Sequence, residues 1–204
     1  MKTVLLSAAV LLGLPVLAAP VAEVTAVRGA ASTGSKALAL GDKLDRGAEV
    51  KTGADGRVRL KFIDGSTLVV SDNSEMRIEA FEMKADQKQR DSASIVLQAG
   101  LIGQKVAPST NGSWEVRTPT AVTAVRGTEF IVEVDDNMAT AVNVSSGKVE
   151  VDPVPTRSLH QRGGRVSLGT PAAGTMCNLA SGCSESSAWS PDRVKRTQER
   201  LSID

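Results

Sequence analysis

Along most of this chain apolar and polar residues alternate with a period of two. Val58, Leu60 and Phe62 alternate with Arg57, Arg59 and Lys61, and Leu68 and Val70 follow. Phe130, Val132 and Val134 alternate with Glu129, Ile131, Glu133 and Asp135; Val142 and Val144 bracket Asn143, and Val149 and Val151 bracket Glu150. Such alternation turns one side of each strand to a core and the other to water. Turn signals recur between the runs: Gly53-Ala54-Asp55-Gly56, Asp64-Gly65-Ser66, Ser71-Asp72-Asn73, Asp135-Asp136-Asn137 and Ser145-Ser146-Gly147. Short strands between Gly, Asp and Asn turns predict an all-β domain. No single hairpin of this length is stable alone, so the sheets must stack or close.

Two segments break the pattern. From 80 to 92 the chain carries Glu82, Lys84, Asp86, Lys88, Arg90 and Asp91 with few apolar residues, which predicts a solvated loop or the tip of a long hairpin. At the C-terminus Ser190-Pro191-Asp192 reads as an N-cap, a proline in the first turn and an acid on the helix dipole. Val194 and Leu201 then share a face, while Arg193, Lys195, Arg196 and Arg200 lie elsewhere. The expectation is a short helix docked by its apolar face.

The first residues form a different kind of segment. Lys2 precedes an apolar run from Val4 to Val10 and on through Leu17, followed by Ala18 and Ala19. That is the order of a cleaved secretory signal over residues 1–18. The run is short for a membrane span and Pro15 interrupts it, and no second apolar stretch is long enough to cross a bilayer. The chain of 204 residues has 24 Lys and Arg against 23 Asp and Glu. Removal of Lys2 with the leader leaves 23 of each, a formal charge of zero. With three Phe, two Trp and no Tyr, the composition excludes a sequence-general nucleic-acid binder, which needs a basic field and stacking rings.

Export places Cys177 and Cys183 in an oxidising compartment, and they are expected to form a disulfide worth about 2–3 kcal/mol on the chain-entropy model. One Cys pair and the distant His160 do not complete a four-ligand metal site.

One hexapeptide occurs twice. Val24-Thr25-Ala26-Val27-Arg28-Gly29 returns as Val122-Thr123-Ala124-Val125-Arg126-Gly127, and Glu49-Val50-Lys51-Thr52 resembles Glu115-Val116-Arg117-Thr118. The order of the two words is reversed between the copies. A chain that reuses similar strand units, as β-solenoids and sandwiches do, fits this; so does convergence of Val/Thr/Ala strands on similar words.

A longer ordered set carries a resemblance. Leu38-Ala39-Leu40-Gly41-Asp42-Lys43-Leu44 is followed by Gly47-Ala48-Glu49-Val50-Lys51-Thr52-Gly53, then by Val58 through Leu68 with Asp64-Gly65-Ser66, and by Met76-Arg77-Ile78. Later come Val116-Arg117-Thr118-Pro119-Thr120-Ala121-Val122, Val125-Arg126-Gly127-Thr128-Glu129-Phe130 and Val142 through Val151. This set resembles the FecR domain family over roughly Val24 to Val151, with the Thr-Pro-Thr-Ala-Val and Val-Arg-Gly-Thr-x-Phe blocks the most specific. The resemblance implies an exported β module, built as a solenoid-like stack of short strands. Its best-known members are transmembrane regulators of iron uptake that control a sigma factor. Their cytoplasmic anti-sigma segment and central transmembrane helix have no counterpart in this sequence, so what carries over is the module, without catalytic residues or cofactor.

The search for chemistry is short. His160 lies in a polar stretch and no Gly-x-Ser-x-Gly elbow accompanies it. Asp135, Asp136 and Asn137 lack the spaced oxygens of a calcium loop and read as a turn. The expected organisation is a leader at 1–18, a FecR-like β domain at 19–175, and a tail at 176–204 with the cysteine loop and the helix. The expected function is a non-enzymatic interaction or sensing module in the periplasm or outside the cell, with a protein partner and no nucleic acid. Arg28, Trp114, Arg126, Gly127 and Thr128 are the candidate contact or motif residues, each Arg being also able to pair with a carboxylate and bridge coils. The rival expectation is binding of peptidoglycan or envelope polysaccharide, for which Trp114 and Trp189 are the large rings available.

Overall fold

The computed structural model describes residues 19–155 and 164–203. The leader at 1–18 and His160 lie outside these described residues. In chain order the strands are β1 (Ala22–Arg28), β2 (Ala31–Thr33), β3 (Lys36–Ala37), β4 (Lys43–Leu44), β5 (Glu49–Thr52) and β6 (Arg57–Phe62). Then come β7 (Thr67–Val70), β8 (Glu75–Met83), β9 (Arg90–Lys105), β10 (Trp114–Arg117), β11 (Ala121–Val125) and β12 (Glu129–Val134). β13 (Thr140–Ser146), β14 (Val149–Pro153), β15 (Val166–Leu168), β16 (Ala173–Asn178), β17 (Gly182–Cys183), β18 (Ser187–Ala188) and the helix α1 (Pro191–Leu201) complete the chain.

The strands form two sheets. The front sheet runs β4–β1–β6–β7–β9–β12–β13–β16, with β17 and β18 beyond β16. The back sheet runs β3–β2–β5–β8–β9–β10–β11–β14–β15. The long strand β9 belongs to both. Its first half pairs with β8 and β10, and from Gly100 onward it pairs with β7 and β12. Gly100 makes the crossing: its φ is +89° and a Cβ there would lie 2.2 Å from the Ser74 hydroxyl. That hydroxyl accepts the next amide, Leu101 N–H, at 2.9 Å.

Alternation worked as expected on both sheets. Val58, Leu60 and Phe62 are buried while Lys61 is exposed, and Val24, Leu68, Val132, Val50, Ile78, Leu97 and Val116 join one apolar cluster from both sides. Full burial of each such side chain is worth about 1.5–3 kcal/mol. Phe62 stacks on Phe81 at 5.3 Å, and Trp114 meets Phe62 edge-on at 5.1 Å. The expected solenoid-like stack of coils is not visible in these ladders. Stacked coils repeat parallel pairings, whereas among the described residues only β9–β10 is parallel.

The charged segment is the β8–β9 hairpin, whose strands run to Met83 and from Arg90. Its tip is solvated, but Arg90 is turned inward.

The C-terminal helix starts where expected, with Ser190 Oγ accepting Arg193 N–H at 3.3 Å and Pro191 in the first turn. It roofs the outer face of the front sheet. Leu201 sits over Gly103, where a Cβ would come within 2.7 Å of it, and Ile203 is buried. Trp189 covers Gly174, with Arg193 3.7 Å above its ring. Charge holds this roof as much as apolar contact does. Arg200 pairs with Glu133 at 2.6 Å and with Asp72 at 3.1 Å. The Arg57 and Ser71 side chains donate to the Arg200 carbonyl at 2.5 and 2.7 Å, and Arg59 donates to the Ile203 carbonyl. The outward residues Ile131, Ala141 and Asn143 are therefore buried as well.

Candidate partner-binding groove

The site is built on a buried ion pair. The Asp64 carboxylate accepts Ser66 N–H at 2.9 Å and Ser66 O–H at 2.8 Å, closing the β6–β7 turn. Arg90 donates to the same carboxylate, to Ser113 C=O at 2.9 Å and to Ala107 C=O at 3.3 Å, and its guanidinium lies 5.3 Å from the Trp114 ring centroid. The two charged side chains are 0% and 3% exposed, so each is viable only through the other. Removing one partner of such a pair costs about 3–5 kcal/mol.

This pair fixes the segment 106–113. Ser109 O–H donates to Arg90 C=O at 2.6 Å, and Ser109 N–H donates to Arg126 C=O at 3.3 Å. Pro108 packs beside Gly127, whose φ is +150°, and Thr128 O–H donates to Lys148 C=O at 2.9 Å. The Asp-Gly-Ser and Val-Arg-Gly-Thr motifs, far apart in sequence, thus flank one loop. The inward role of Arg90 left no mark in the sequence, where it sits in a charged run, because its partners Asp64, Ala107 and Ser113 are distant along the chain.

Above this base lies a groove of about 380 Å³ lined by Ser113, Ala124, Val125, Arg126, Lys148 and Glu150. Arg126 is exposed, and among the described residues no carboxylate lies within ion-pair distance of it. Its neighbours on the same face are cross-neutralised. Lys148 pairs with Glu150 at 3.4 Å, Arg165 with Glu150 at 3.8 Å and with Asp152 at 2.8 Å, and Arg117 with Glu115 at 2.8 Å.

The other candidate residues are placed differently. Trp114 is fully buried, its Nε1–H donating to Gln104 Oε1 at 2.7 Å, so it is a core residue out of a partner's reach. Trp189 is also buried, under α1, which removes both rings from any stacking platform for a glycan. Arg28 is exposed at the end of β1 on the front sheet, away from Arg126, and among the described residues neither arginine has the carboxylate partner expected of a bridge between coils. Cys177 and Cys183 are joined, facing each other across β16 and β17 with 3.9 Å between Cα atoms.

The Thr-Pro-Thr-Ala motif is structural. Thr140 Oγ1 lies 2.7 Å from Thr118 Oγ1 and 2.6 Å from Thr120 Oγ1, and Thr120 O–H donates to Cys177 C=O at 3.2 Å. These buried hydroxyls tie the β10–β11 turn to β13 and the disulfide. Asp135 accepts Asn137 and Ala139 N–H groups at 2.9 and 2.8 Å, a hairpin turn. Among the described residues no cluster of His, Cys, Asp and Glu could hold a metal, and no helix is long and apolar enough to cross a membrane.

Comparisons agree with this layout. The family model for FecR protein matches residues 48–150, a span that holds the buried pair and the groove but stops short of β1 and α1. Two crystal structures of a candidate anti-sigma factor from Parabacteroides distasonis ATCC 8503 share the fold. Their TM-scores are 0.57 and 0.56 at 20% identity, covering 72% of this chain and 62% of theirs. The chain therefore spans less than two thirds of those chains. No curated protein matches.

Proposed function

This chain belongs to the FecR family, and from that premise we propose that it is an exported, non-enzymatic sensing module of the cell envelope. It recognises a protein partner in the Arg126 groove. The observation that carries this reading is the contrast within one face: Arg126 stands exposed and, among the described residues, without a carboxylate partner, on a base made rigid by the buried Asp64–Arg90 pair, while the charges around it neutralise one another. A guanidinium held this way offers a planar donor fork to a partner's carboxylate. The candidate anti-sigma factor that shares the fold supports a signalling role, and the disulfide supports an oxidising compartment.

The test is photocrosslinking in the periplasm from a probe at position 124, compared between the native chain and Arg126→Glu. The expected result is one discrete crosslinked protein that disappears in the variant, with the thermal midpoint unchanged. A smear, or a product indifferent to Arg126, would sink the proposal. Recovery of all chain in the cytoplasm would remove the export it depends on.

A further inference from the structure

The chain-wide charge balance hides a local excess on the opposite sheet. β6 turns Val58, Leu60 and Phe62 inward, so Arg57, Arg59 and Lys61 project from the outer face. In the β1–β6 register Arg28 stands directly opposite Arg57 and joins the same face. Among the described residues, none of these four side chains has a carboxylate within ion-pair distance. The acid on this part of the face, Glu23, is taken by Lys43 of β4. Arg57 and Arg59 each give one donor to the carbonyls at the end of α1, which leaves the rest of each fork open. On the back sheet, by contrast, cations and acids alternate: Lys51 with Glu75 at 2.9 Å, Arg77 with Glu79 at 3.3 Å, Arg117 with Glu115 at 2.8 Å.

We propose that Arg28, Arg57, Arg59 and Lys61 form a binding stripe for an anionic glycan, one bearing carboxylates or phosphates at regular intervals. Residues two apart on a strand are about 7 Å apart, so the stripe presents a row of cations with a repeat that a polyanion can follow. β1 lies between β4 and β6, and β6 between β1 and β7, so their backbone donors and acceptors are already used and no peptide strand can add there. What remains is charge over a strand face: Arg28 and Lys61 on free, exposed stems and Arg57 and Arg59 held half-buried at the end of α1. That suits a polymer recognised by its charge spacing better than a folded partner that needs shape. The stripe lies outside the family-matched span for Arg28 and on the other sheet from the Arg126 groove, so it stands independently of the partner proposed there.

The experiment measures binding of the full chain to polygalacturonate, to a polyglycerol phosphate and, as rivals, to poly-glutamate and duplex DNA. Binding to one or both glycan-type polymers is expected, the two arms distinguishing carboxylate from phosphate. Affinity should fall roughly 20- to 50-fold between 50 and 200 mM salt, as counterion release by three to four cations requires. Arg57→Gln with Arg59→Gln should weaken binding at least tenfold, but that pair also holds α1. Arg28→Gln with Lys61→Gln touches no contact of the helix and should weaken it about fivefold with the fold intact. Arg117→Gln, the same charge change on the back sheet, should leave it unaltered. No binding at 50 mM salt, equal loss in Arg117→Gln, or equal affinity for poly-glutamate or DNA would each overturn the proposal.

Discussion

The two outer faces of this protein are built from the same materials and end in opposite states. The front face is roofed over its middle strands: α1 and Trp189 lie there, and Arg200 bridges Asp72 and Glu133 beneath, while Arg28 and Lys61 on the β1–β6 flank stay exposed. The back face is open, and most of its charged residues pair within or between neighbouring strands while remaining largely in water. The difference lies in what the charges accomplish. Exposed pairs such as Arg117–Glu115 gain little, because solvent screens them and ordering two long side chains costs entropy. The Arg200 cluster is partly desolvated and holds a whole element in place. Where weak pairs lace a face it stays available to a partner; where the strong cluster closes it, over β7, β9 and β12, it does not.

The comparison can be broken in graded steps. The largest effect is expected from replacing Cys177 and Cys183 together with Ser, which frees the edge of the front sheet from which the roof departs. Urea unfolding should show a loss of about 2–3 kcal/mol, the chain-entropy value for so short a loop. Next is Arg200→Ala. It leaves Asp72 partly buried without a cation and Glu133 with only the longer Arg193 pair at 3.8 Å, and should cost about 2 kcal/mol, between the values for buried and exposed pairs. A shifted midpoint at unchanged slope would check it; an unshifted midpoint would mean that the roof rests on Leu201 and Ile203 alone.

The third step is acid. Burial pushes the Asp72 carboxyl up, but its hydrogen bonds to Arg200 and Ser71 pull it down further, so it titrates below the ordinary aspartate value of 3.8. A carboxyl depressed in the folded state stabilises it above the unfolded pKa, and that contribution fades as pH falls through the folded one. The roof should therefore loosen below about pH 4. Trp189 emission would report this, and the effect should be weaker in Arg200→Ala. The smallest step is Arg117→Gln on the back face, expected to cost less than about 0.5 kcal/mol. A cost above about 1 kcal/mol would show that the open face is more rigid than its exposure implies.

Much of the architecture is legible in the sequence. The helix start at Ser190-Pro191-Asp192 depends on local capping, and it appeared where the cap placed it. The alternation at Val58, Leu60 and Phe62 needed only a period. Other features were not legible because they depend on residues distant in sequence. Arg90 in a charged run is buried only because Asp64 and the carbonyls of Ala107 and Ser113 meet it there. Ile131 alternates like an outward residue, yet it is buried because α1 arrives from the other end of the chain. The finer solenoid expectation was not legible for a similar reason: a period of two is common to coils and to facing sheets, and pairing direction leaves no mark on it. Of the candidate site, Arg126 and its Gly-Thr neighbours were visible as a motif; that Arg126 lacks a partner was not.

The repeated hexapeptide separates the two kinds of information. In β1 Val24 is wholly buried and Thr25 half-buried; in β11 Val122 is half-exposed and Thr123 wholly buried. A bulge between Val24 and Ala26 then shifts β1 by one residue, so that Val27 and Val125 both turn to the core and Arg28 and Arg126 both turn out. The six residues by themselves determined that each copy is a strand ending in an exposed Arg before a Gly. Only the tertiary structure decided which side faces inward at the start of each strand, and on which sheet each arginine stands. Alternation has a period but no sign, and a one-residue change in register reverses it.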